Sequence, residues 1–348
     1  MGRAFQIEGE IRWRAFLTTL VTGCILLVSG GAVAVTLNPG DILVVNRSTL
    51  SPNPSIIRVD PVTGAQTFVA GLVWDPIGIA MEANGNILVT DYSAIYGPGA
   101  LFRINPVTGA RTIVSSGGFL SGPSAITVEA DGNILVCGGP FNGLNAVIRV
   151  DPVTGSQTVV SSSELFLGSR GIIVDGTGIL VAGLINSYSR GGILRVDPGT
   201  GALSILSAGG NFSSELTGIT VDSNGDILVA DPWTGGGTGA IIRVSAFGSQ
   251  SIVSTGGFFV EPTGVAVDGN GNILVVDGYA LGGSGGIFRV DPVTGTQTLV
   301  SSGGSLVNPY SIAIVRSSAL IPEPGTLLLL AWGLVWLGVR QGARRNAL

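Results

Sequence analysis

Carboxylate and amide side chains recur at two fixed positions of this sequence. One position closes an apolar Ile-Leu-Val run, and the other immediately precedes a proline or the residue that replaces it. The members are Asn46, Asp91, Asp231 and Asp277 at the first position, and Asp75, Glu215, Glu261 and Asn308 at the second. Their oxygen atoms are ligands for hard cations and hydrogen-bonding partners for polar molecules. The sequence therefore predicts a site here, either for Ca²⁺ or another hard divalent cation or for a polar ligand.

A second interpretation applies to the residues that close the Ile-Leu-Val runs. An aspartate at the end of a strand commonly accepts hydrogen bonds from nearby backbone N–H groups and so fixes a turn. At the level of sequence, both interpretations of Asp91, Asp231 and Asp277 stay open.

The absence of histidine and lysine limits the chemistry further. All 17 basic residues are arginine. A serine nucleophile would have neither of its usual nitrogen bases, and general acid–base catalysis by imidazole is excluded. Zinc and iron sites of the usual His/Cys kind are excluded too. Carboxylates remain, acting alone or around a hard cation.

These side chains belong to a repeat that runs from Asp41 to Val315. Each unit contains a short apolar strand A, a strand B reading Ile-Leu-Val, a strand C ending in Arg-Val or Arg-Ile, a turn that usually reads Asp-Pro-Val-Thr-Gly, and a strand D. The strand-C arginines are Arg58, Arg103, Arg149, Arg195, Arg243 and Arg289, spaced 45, 46, 46, 48 and 46 residues apart. Such a period of short strands and turn residues predicts an all-β, six-bladed β-propeller with four-stranded blades, spanning 38–316.

The order of the elements at the two ends predicts how the ring closes. The repeat begins with strands B, C and D near residues 42, 56 and 67, and it ends with a lone strand A at 311–314. A blade of three N-terminal strands and one C-terminal strand would complete the ring and remove two sheet edges. The sixfold arginine is interpreted as structural, because a ligand contact would rarely be needed on every blade.

Three segments closely resemble NHL-repeat propellers and their relatives in the SMP-30/gluconolactonase group. They are Pro76-Ile77-Gly78-Ile79, the stretch from Asn84 to Asp91, and the stretch from Glu261 to Asp277; the likeness covers all six repeats. Metal-dependent lactonases of that group place Glu, Asn and Asp at the starts of inner strands. Here those positions hold Ile77, Ser124, Arg170, Thr217, Thr263 and Tyr310. The family's ligands therefore do not transfer, and neither does the histidine base of streptogramin-lyase-like propellers.

The B–C and D–A loops share one face, where the repeats diverge and aromatic residues gather. Those residues are Trp74, Tyr92, Tyr96, Phe119, Phe141, Tyr188, Trp233 and Tyr279. In many proteins the binding residues lie on variable loops that a rigid scaffold holds in place. Aromatic rings with acids nearby suit a carbohydrate or a protein partner, and Trp233 and Tyr279 are predicted ligand residues. Phe119, Phe166, Phe212 and Phe258 recur in the D–A loops and are interpreted as packing residues.

The charge balance indicates which partners are unsuitable. Three of the 22 acids and six of the 17 arginines lie in the end segments, which leaves a net charge of about −8 between them. A nucleic-acid or anionic-membrane surface requires a basic face. We therefore expect no nucleic-acid partner.

The N-terminal segment has the pattern of a secretory signal peptide. Arg12 and Arg14 precede an uncharged stretch, and Ala32-Val33-Ala34 fits a cleavage site, so residues 1–34 are predicted to be removed. An uncleaved membrane anchor and a lipoprotein box ending at Cys24 are the alternatives.

The C-terminal segment, 321–348, contains Pro322-Glu323-Pro324, an apolar stretch 326–339 and a final group of arginines. This order closely resembles the PEP-CTERM sorting signal. The resemblance implies recognition by an exosortase-type enzyme during transient membrane association; an ordinary tail anchor is the alternative.

Together these features predict an exported binding or scaffold module of the cell envelope or extracellular matrix. The alternative is a cation-dependent hydrolase or lactonase that uses carboxylates at the central channel, and a purely structural matrix protein is a third hypothesis. Convergence of three or more of the six acids within metal-ligand distance would favour the enzyme.

Overall fold

The computed structural model describes residues 35–47, 54–72, 74–93, 98–141, 144–185 and 190–316, without the side chains of residues 140, 141 and 235. These residues form six four-stranded antiparallel sheets, which are the blades of a six-bladed β-propeller. The predicted signal peptide, 1–34, and sorting tail, 321–348, lie outside the described residues. In the described ranges, no helix is both long and apolar enough to cross a membrane.

Strand A is innermost and strand D outermost in every blade. Blade 1 contains β24 (Pro309–Ile314), β1 (Ile42–Asn46), β2 (Ser55–Val59) and β3 (Gln66–Gly71); blade 2 contains β4 (Pro76–Met81), β5 (Ile87–Asp91), β6 (Ala100–Ile104) and β7 (Arg111–Ser116); blade 3 contains β8 (Ala125–Val128), β9 (Ile134–Phe141), β10 (Leu144–Val150) and β11 (Gln157–Ser162). Blade 4 contains β12 (Gly168–Val174), β13 (Ile179–Ile185), β14 (Arg190–Val196) and β15 (Leu203–Ala208); blade 5 contains β16 (Gly218–Val221), β17 (Ile227–Asp231), β18 (Ala240–Val244) and β19 (Gln250–Thr255); blade 6 contains β20 (Pro262–Val267), β21 (Ile273–Asp277), β22 (Gly286–Val290) and β23 (Gln297–Ser302). Two short helices, α1 (Thr234–Gly237) and α2 (Ala280–Gly283), follow β17 and β21.

The ring closes as the order of the repeats predicts. The C-terminal β24 pairs antiparallel with β1, and Ile42 lies opposite Ile314. Blade 1 therefore combines three N-terminal strands with one C-terminal strand, so that β1 is paired on both sides and β24 is paired with β1.

The core lies between adjacent blades. Ile87, Leu88 and Val89 of β5 are all fully buried, because strand B has a neighbouring blade on each side. Leu88 and Val136 belong to one apolar cluster that joins blade 2 to blade 3, and the same arrangement recurs at the other described interfaces. A strand that is buried on both faces is apolar throughout, which explains the unbroken Ile-Leu-Val runs.

The repeated arginine is structural, as predicted. Arg103 forms two hydrogen bonds with the carboxylate of Glu82, 2.8 and 2.5 Å long, and a third with Pro152 O of the next blade, 2.9 Å long. All six of these arginines are partly buried and lie within 4 Å of a carboxylate; the partners are Asp41, Glu82, Glu129, Asp175, Asp222 with Asp226, and Asp268.

The outer strands of neighbouring blades are joined by serine side chains. Ser115 Oγ of blade 2 donates to Gly155 O of blade 3 at 2.7 Å, and Gln157 Nε2 donates back to Ser115 Oγ at 2.9 Å. Five of the six interfaces in the described structure have the serine bond. The interface between blades 1 and 2 lacks it, because Ala70 stands in the serine position and Arg111 stands in the glutamine position.

Restoring these bonds should stabilise the ring. In the double variant Ala70→Ser/Arg111→Gln, the new hydroxyl would donate to Gly109 O, as Ser115 donates to Gly155 O. Each net hydrogen bond contributes about 1 kcal/mol, so the free energy of unfolding should rise by about 1–2 kcal/mol in chemical denaturation. Arg111→Leu is the control, since Leu203 occupies the same position in blade 4. A double variant less stable than the wild-type protein would contradict this account.

Candidate functional site

The predicted ligand residues all lie at one face, where strands B end and strands A begin; we call it the loop face. Asn46, Asp91, Asp231 and Asp277 close strands β1, β5, β17 and β21 there. All four side chains are almost completely buried. Each of these four strands is five residues long and begins with Ile-Leu-Val, so the polar residue at its end reaches the same height in each blade.

The three aspartates accept hydrogen bonds from the backbone of the surrounding loops. Asp277 Oδ2 accepts from Val260 N at 2.7 Å and Glu261 N at 2.9 Å, and its Oδ1 accepts from Tyr279 N and Ala280 N at 3.0 Å each. Burial raises the pKa of Asp277, while these four backbone donors act in the opposite direction. The carboxylate therefore joins the D–A loop to the B–C loop of its blade.

Asp231 and Asp91 repeat this arrangement. Asp231 accepts from Ser213 N at 2.7 Å and Thr234 N at 3.1 Å, and Asp91 accepts from Asp75 N at 3.1 Å. All three aspartates therefore accept backbone hydrogen bonds at the end of strand B, which is the second of the two interpretations of the sequence. Their oxygen atoms point at protein amides rather than at solvent.

The acids before strand A lie at the mouth of the central channel, and two of them pair with arginines. Asp75 accepts two hydrogen bonds from Arg47, 2.5 Å from Nε and 2.9 Å from Nη2. These bonds are the first cause of the raised pKa of Arg47. Glu215 forms a close salt bridge with Arg170. The Arg47–Asp75 pair is bidentate, with two nitrogen donors of the guanidinium facing the two carboxylate oxygens.

Glu261 differs from Asp75 and Glu215, because among the described residues it forms no salt bridge. Its side chain is partly buried. Burial first, and then the nearby carboxylates of Asp277 and Glu215, raise the pKa of Glu261.

Tyr310 connects the two arginine pairs across the channel. Its hydroxyl accepts a hydrogen bond from Arg170 Nη1 at 3.0 Å, and the guanidinium of Arg47 lies 4.9 Å from the centre of its ring. Arg170 belongs to blade 4 and Tyr310 to blade 1, so this contact joins opposite blades. Since 140 residues separate the two, their proximity depends on ring closure. The sequence did not identify Arg47, Arg170 or Tyr310 as site residues. The one indication was that Arg170 and Tyr310 stand at the start of strand A, the innermost strand of a blade.

A cavity of about 510 Å³ opens at the loop face, where residues of blades 1, 2 and 6 meet. It is lined by Arg47, Trp74, Asp75, Ser93, Tyr279 and Asn308. Trp74 and Tyr279 are 40% and 55% exposed, so part of each residue is accessible to solvent at the cavity. Trp74 adopts a φ of +62°, a conformation that few residues other than glycine adopt.

The structure thus brings together only part of the predicted set. Asp75 and Tyr279 line the cavity, Glu215 and Glu261 lie at the channel mouth, and Trp233 is 45% exposed on blade 5 without lining the cavity. Tyr96, Tyr188 and the side chain of Phe141 lie outside the described residues. Within the described ranges, no group of three or more Asp, Glu, Cys or His side chains has a geometry that could hold a metal ion.

The D–A loop phenylalanines pack as predicted. Phe166 and Phe212 are buried in clusters between blades, and Phe258 stacks on Phe288 with ring centres 5.1 Å apart. These residues hold the D–A loops against the strands.

The comparisons with known proteins support the fold. Neither the protein-family models nor the curated proteins give a match to the sequence. Among solved structures, a chain from the crystal structure of a nidogen/laminin complex superposes with a TM-score of 0.63 and 14% identity, over 80% of this chain and 98% of that one. TolB from Acinetobacter baumannii superposes with a TM-score of 0.59 and 16% identity, over 79% of this chain and 66% of that one. At these identities the likeness shows a six-bladed β-propeller fold alone, and the NHL, SMP-30 and PEP-CTERM resemblances stay predictions.

Proposed function

We propose that this protein is a carbohydrate-binding module whose binding site is the cavity at the loop face. The observation on which the proposal rests is the lining of that cavity. Two partly exposed aromatic residues, Trp74 and Tyr279, line it together with the Arg47–Asp75 pair, Asn308 and Ser93. A concave site with aromatic surfaces and a few convergent polar groups is typical of small-ligand binding.

The chemistry of the lining matches that of a sugar. The C–H faces of a sugar ring are apolar and pack against aromatic rings, while its hydroxyl groups both donate and accept hydrogen bonds. The Arg47–Asp75 pair offers donors and acceptors side by side, because the two bonds within the pair use only two of the five N–H groups of a guanidinium.

The site is also held in place before a ligand arrives. Arg47 is fixed by Asp75 on one side and by the Tyr310 ring on the other, and Tyr310 is fixed by Arg170. A side chain that is already ordered loses little conformational entropy on binding, which favours affinity.

Tyr279→Ala is the sharpest test of this proposal, and Trp233→Ala is its matched control. Each residue directly precedes a short helix, α2 or α1, and each side chain is about half exposed, but only Tyr279 lines the cavity. Tyr279→Ala should lower glycan affinity up to about 10-fold, since a stacked aromatic contributes up to about 1.5 kcal/mol. Trp233→Ala should leave the affinity unchanged. A glycan array followed by titration calorimetry measures both, and an equal effect of the two substitutions would contradict this location.

We further propose that the module is exported and delivered to the cell envelope or extracellular matrix. The signal-peptide pattern of residues 1–34 and the Pro-Glu-Pro, apolar and arginine-rich order of residues 321–348 support this part of the proposal. The sorting enzyme would be of the exosortase type and would act on the tail.

A further inference from the structure

We infer that the site takes an electrically neutral polysaccharide chain rather than a polyanionic one. This inference rests on the proposed carbohydrate-binding function and adds the class of sugar polymer. It follows from the charges and the arrangement of the groups at the channel mouth.

Both arginines of the mouth are neutralised by carboxylates of the protein. Arg47 is held by Asp75 through two hydrogen bonds, and Arg170 is paired with Glu215. A uronate or sulfate group would have to displace a carboxylate or share its guanidinium. Displacement leaves a partly buried carboxylate without its partner, and sharing places two negative charges on one guanidinium, so both changes cost free energy.

The remaining groups of the mouth do not attract anions. The positions that begin strand A, other than Arg170, hold the uncharged residues Ile77, Ser124, Thr217, Thr263 and Tyr310. Glu261 adds a negative charge beside Glu215 and Asp277. The exposed Arg190 lies on the outer part of blade 4, beside Gly209. The field at the mouth therefore opposes a polyanion.

The two arginine pairs give the mouth more than one place at which a sugar unit can bind. One side chain, Tyr310, lies between them: Arg47 contacts the face of its ring, and Arg170 contacts its hydroxyl. The Arg47–Asp75 pair, together with Trp74 and Tyr279, can bind one sugar unit in the cavity, and the Arg170–Glu215 pair can bind hydroxyl groups of another.

The test compares neutral and acidic polymers on the full-length mature protein. Dextran and a linear β-glucan serve as neutral probes, and alginate and polygalacturonate serve as acidic probes. Each is titrated at low and at high ionic strength, with EDTA and then with added Ca²⁺. We expect at least one neutral polymer to bind at least about 10-fold more tightly than either acidic polymer, with little dependence on salt, because uncharged ligands are not screened.

Asp75→Asn supplies a gain-of-function measurement. The substitution keeps the shape of the side chain but leaves the charge of Arg47 uncompensated, so binding of alginate should appear and should weaken as salt rises. Glu215→Gln applies the same change at the Arg170 pair, in case the first variant folds poorly.

The outcomes separate the two proposals. Salt-sensitive binding of an acidic polymer by the wild-type protein, or acidic-polymer binding that needs Ca²⁺, would overturn the inference and leave carbohydrate binding intact. Binding of none of the four polymers, together with a blank glycan array, would overturn the proposed function and the inference with it.

Discussion

Replacing Gly64 with alanine should lower the free energy of unfolding by about 3 kcal/mol or more. Gly64 lies in the turn between β2 and β3 with a φ of +71°, where an L side chain is strained. A Cβ built there would lie 2.2 Å from Val300 O of blade 6, a backbone atom that cannot rotate away. The substitution therefore forces blades 6 and 1 apart.

The variant Gly85→Ala measures the cost of positive φ alone, without the steric clash that a Cβ at position 64 makes with Val300 O. Gly85 has a φ of +87°, but a Cβ there would meet nothing within 4 Å. This variant should lose only about 1 kcal/mol, the usual penalty for alanine at positive φ. Urea denaturation of both variants gives the comparison. If Gly64→Ala were no less stable than Gly85→Ala, the tight contact between blades would have to be abandoned.

Replacing Pro322, Glu323 and Pro324 with alanine should block maturation of the exported protein completely. The reason lies in the length of the apolar stretch 326–339, whose 14 residues would extend about 21 Å as a helix, short of the ~30 Å hydrocarbon core. Such a segment is a poor permanent anchor, so its proposed role is recognition by a sorting enzyme followed by removal.

The measurement for the tail is the intact mass of the surface protein from a host that contains an exosortase. The wild-type protein should lack residues 326–348, and the triple-alanine variant should retain them with the propeller still folded. Ser317→Ala/Ser318→Ala, just before the motif, is the control and should mature normally. A mature wild-type protein that still contains residues 326–348 would replace the sorting proposal with a plain membrane anchor.

The fold could be predicted because its information is local and repeated. A strand that is buried on both faces is apolar throughout, and the tight turns of this protein use Asn-Gly, Asp-Gly or Asp-Pro-Val-Thr-Gly. Each blade can therefore be recognised from its own stretch of sequence. The lone strand A at 311–314 also implied its pairing with β1. No contact between distant blades was needed for these conclusions.

The site could be predicted only in part, because its geometry depends on contacts that the repeat does not encode. An aspartate at the end of strand B looks the same in sequence whether it faces solvent or a loop backbone. In the structure, Val260 N and Ala280 N donate to Asp277, so its carboxylate faces the loop backbone. Arg47 follows strand B of one blade, and its partner Asp75 precedes strand A of the next. The bond between Arg170 and Tyr310 crosses the channel and exists only once the ring has closed.

The most direct test of the central claim, that the loop-face cavity binds carbohydrate, is hydrogen–deuterium exchange measured by mass spectrometry with and without the tightest-binding glycan. The account predicts slower exchange confined to the loop face, in residues 74–93, 277–285 and 305–311, and no change in the turns of the opposite face, such as 60–65. Slower exchange in those turns, with none around the cavity, would contradict it.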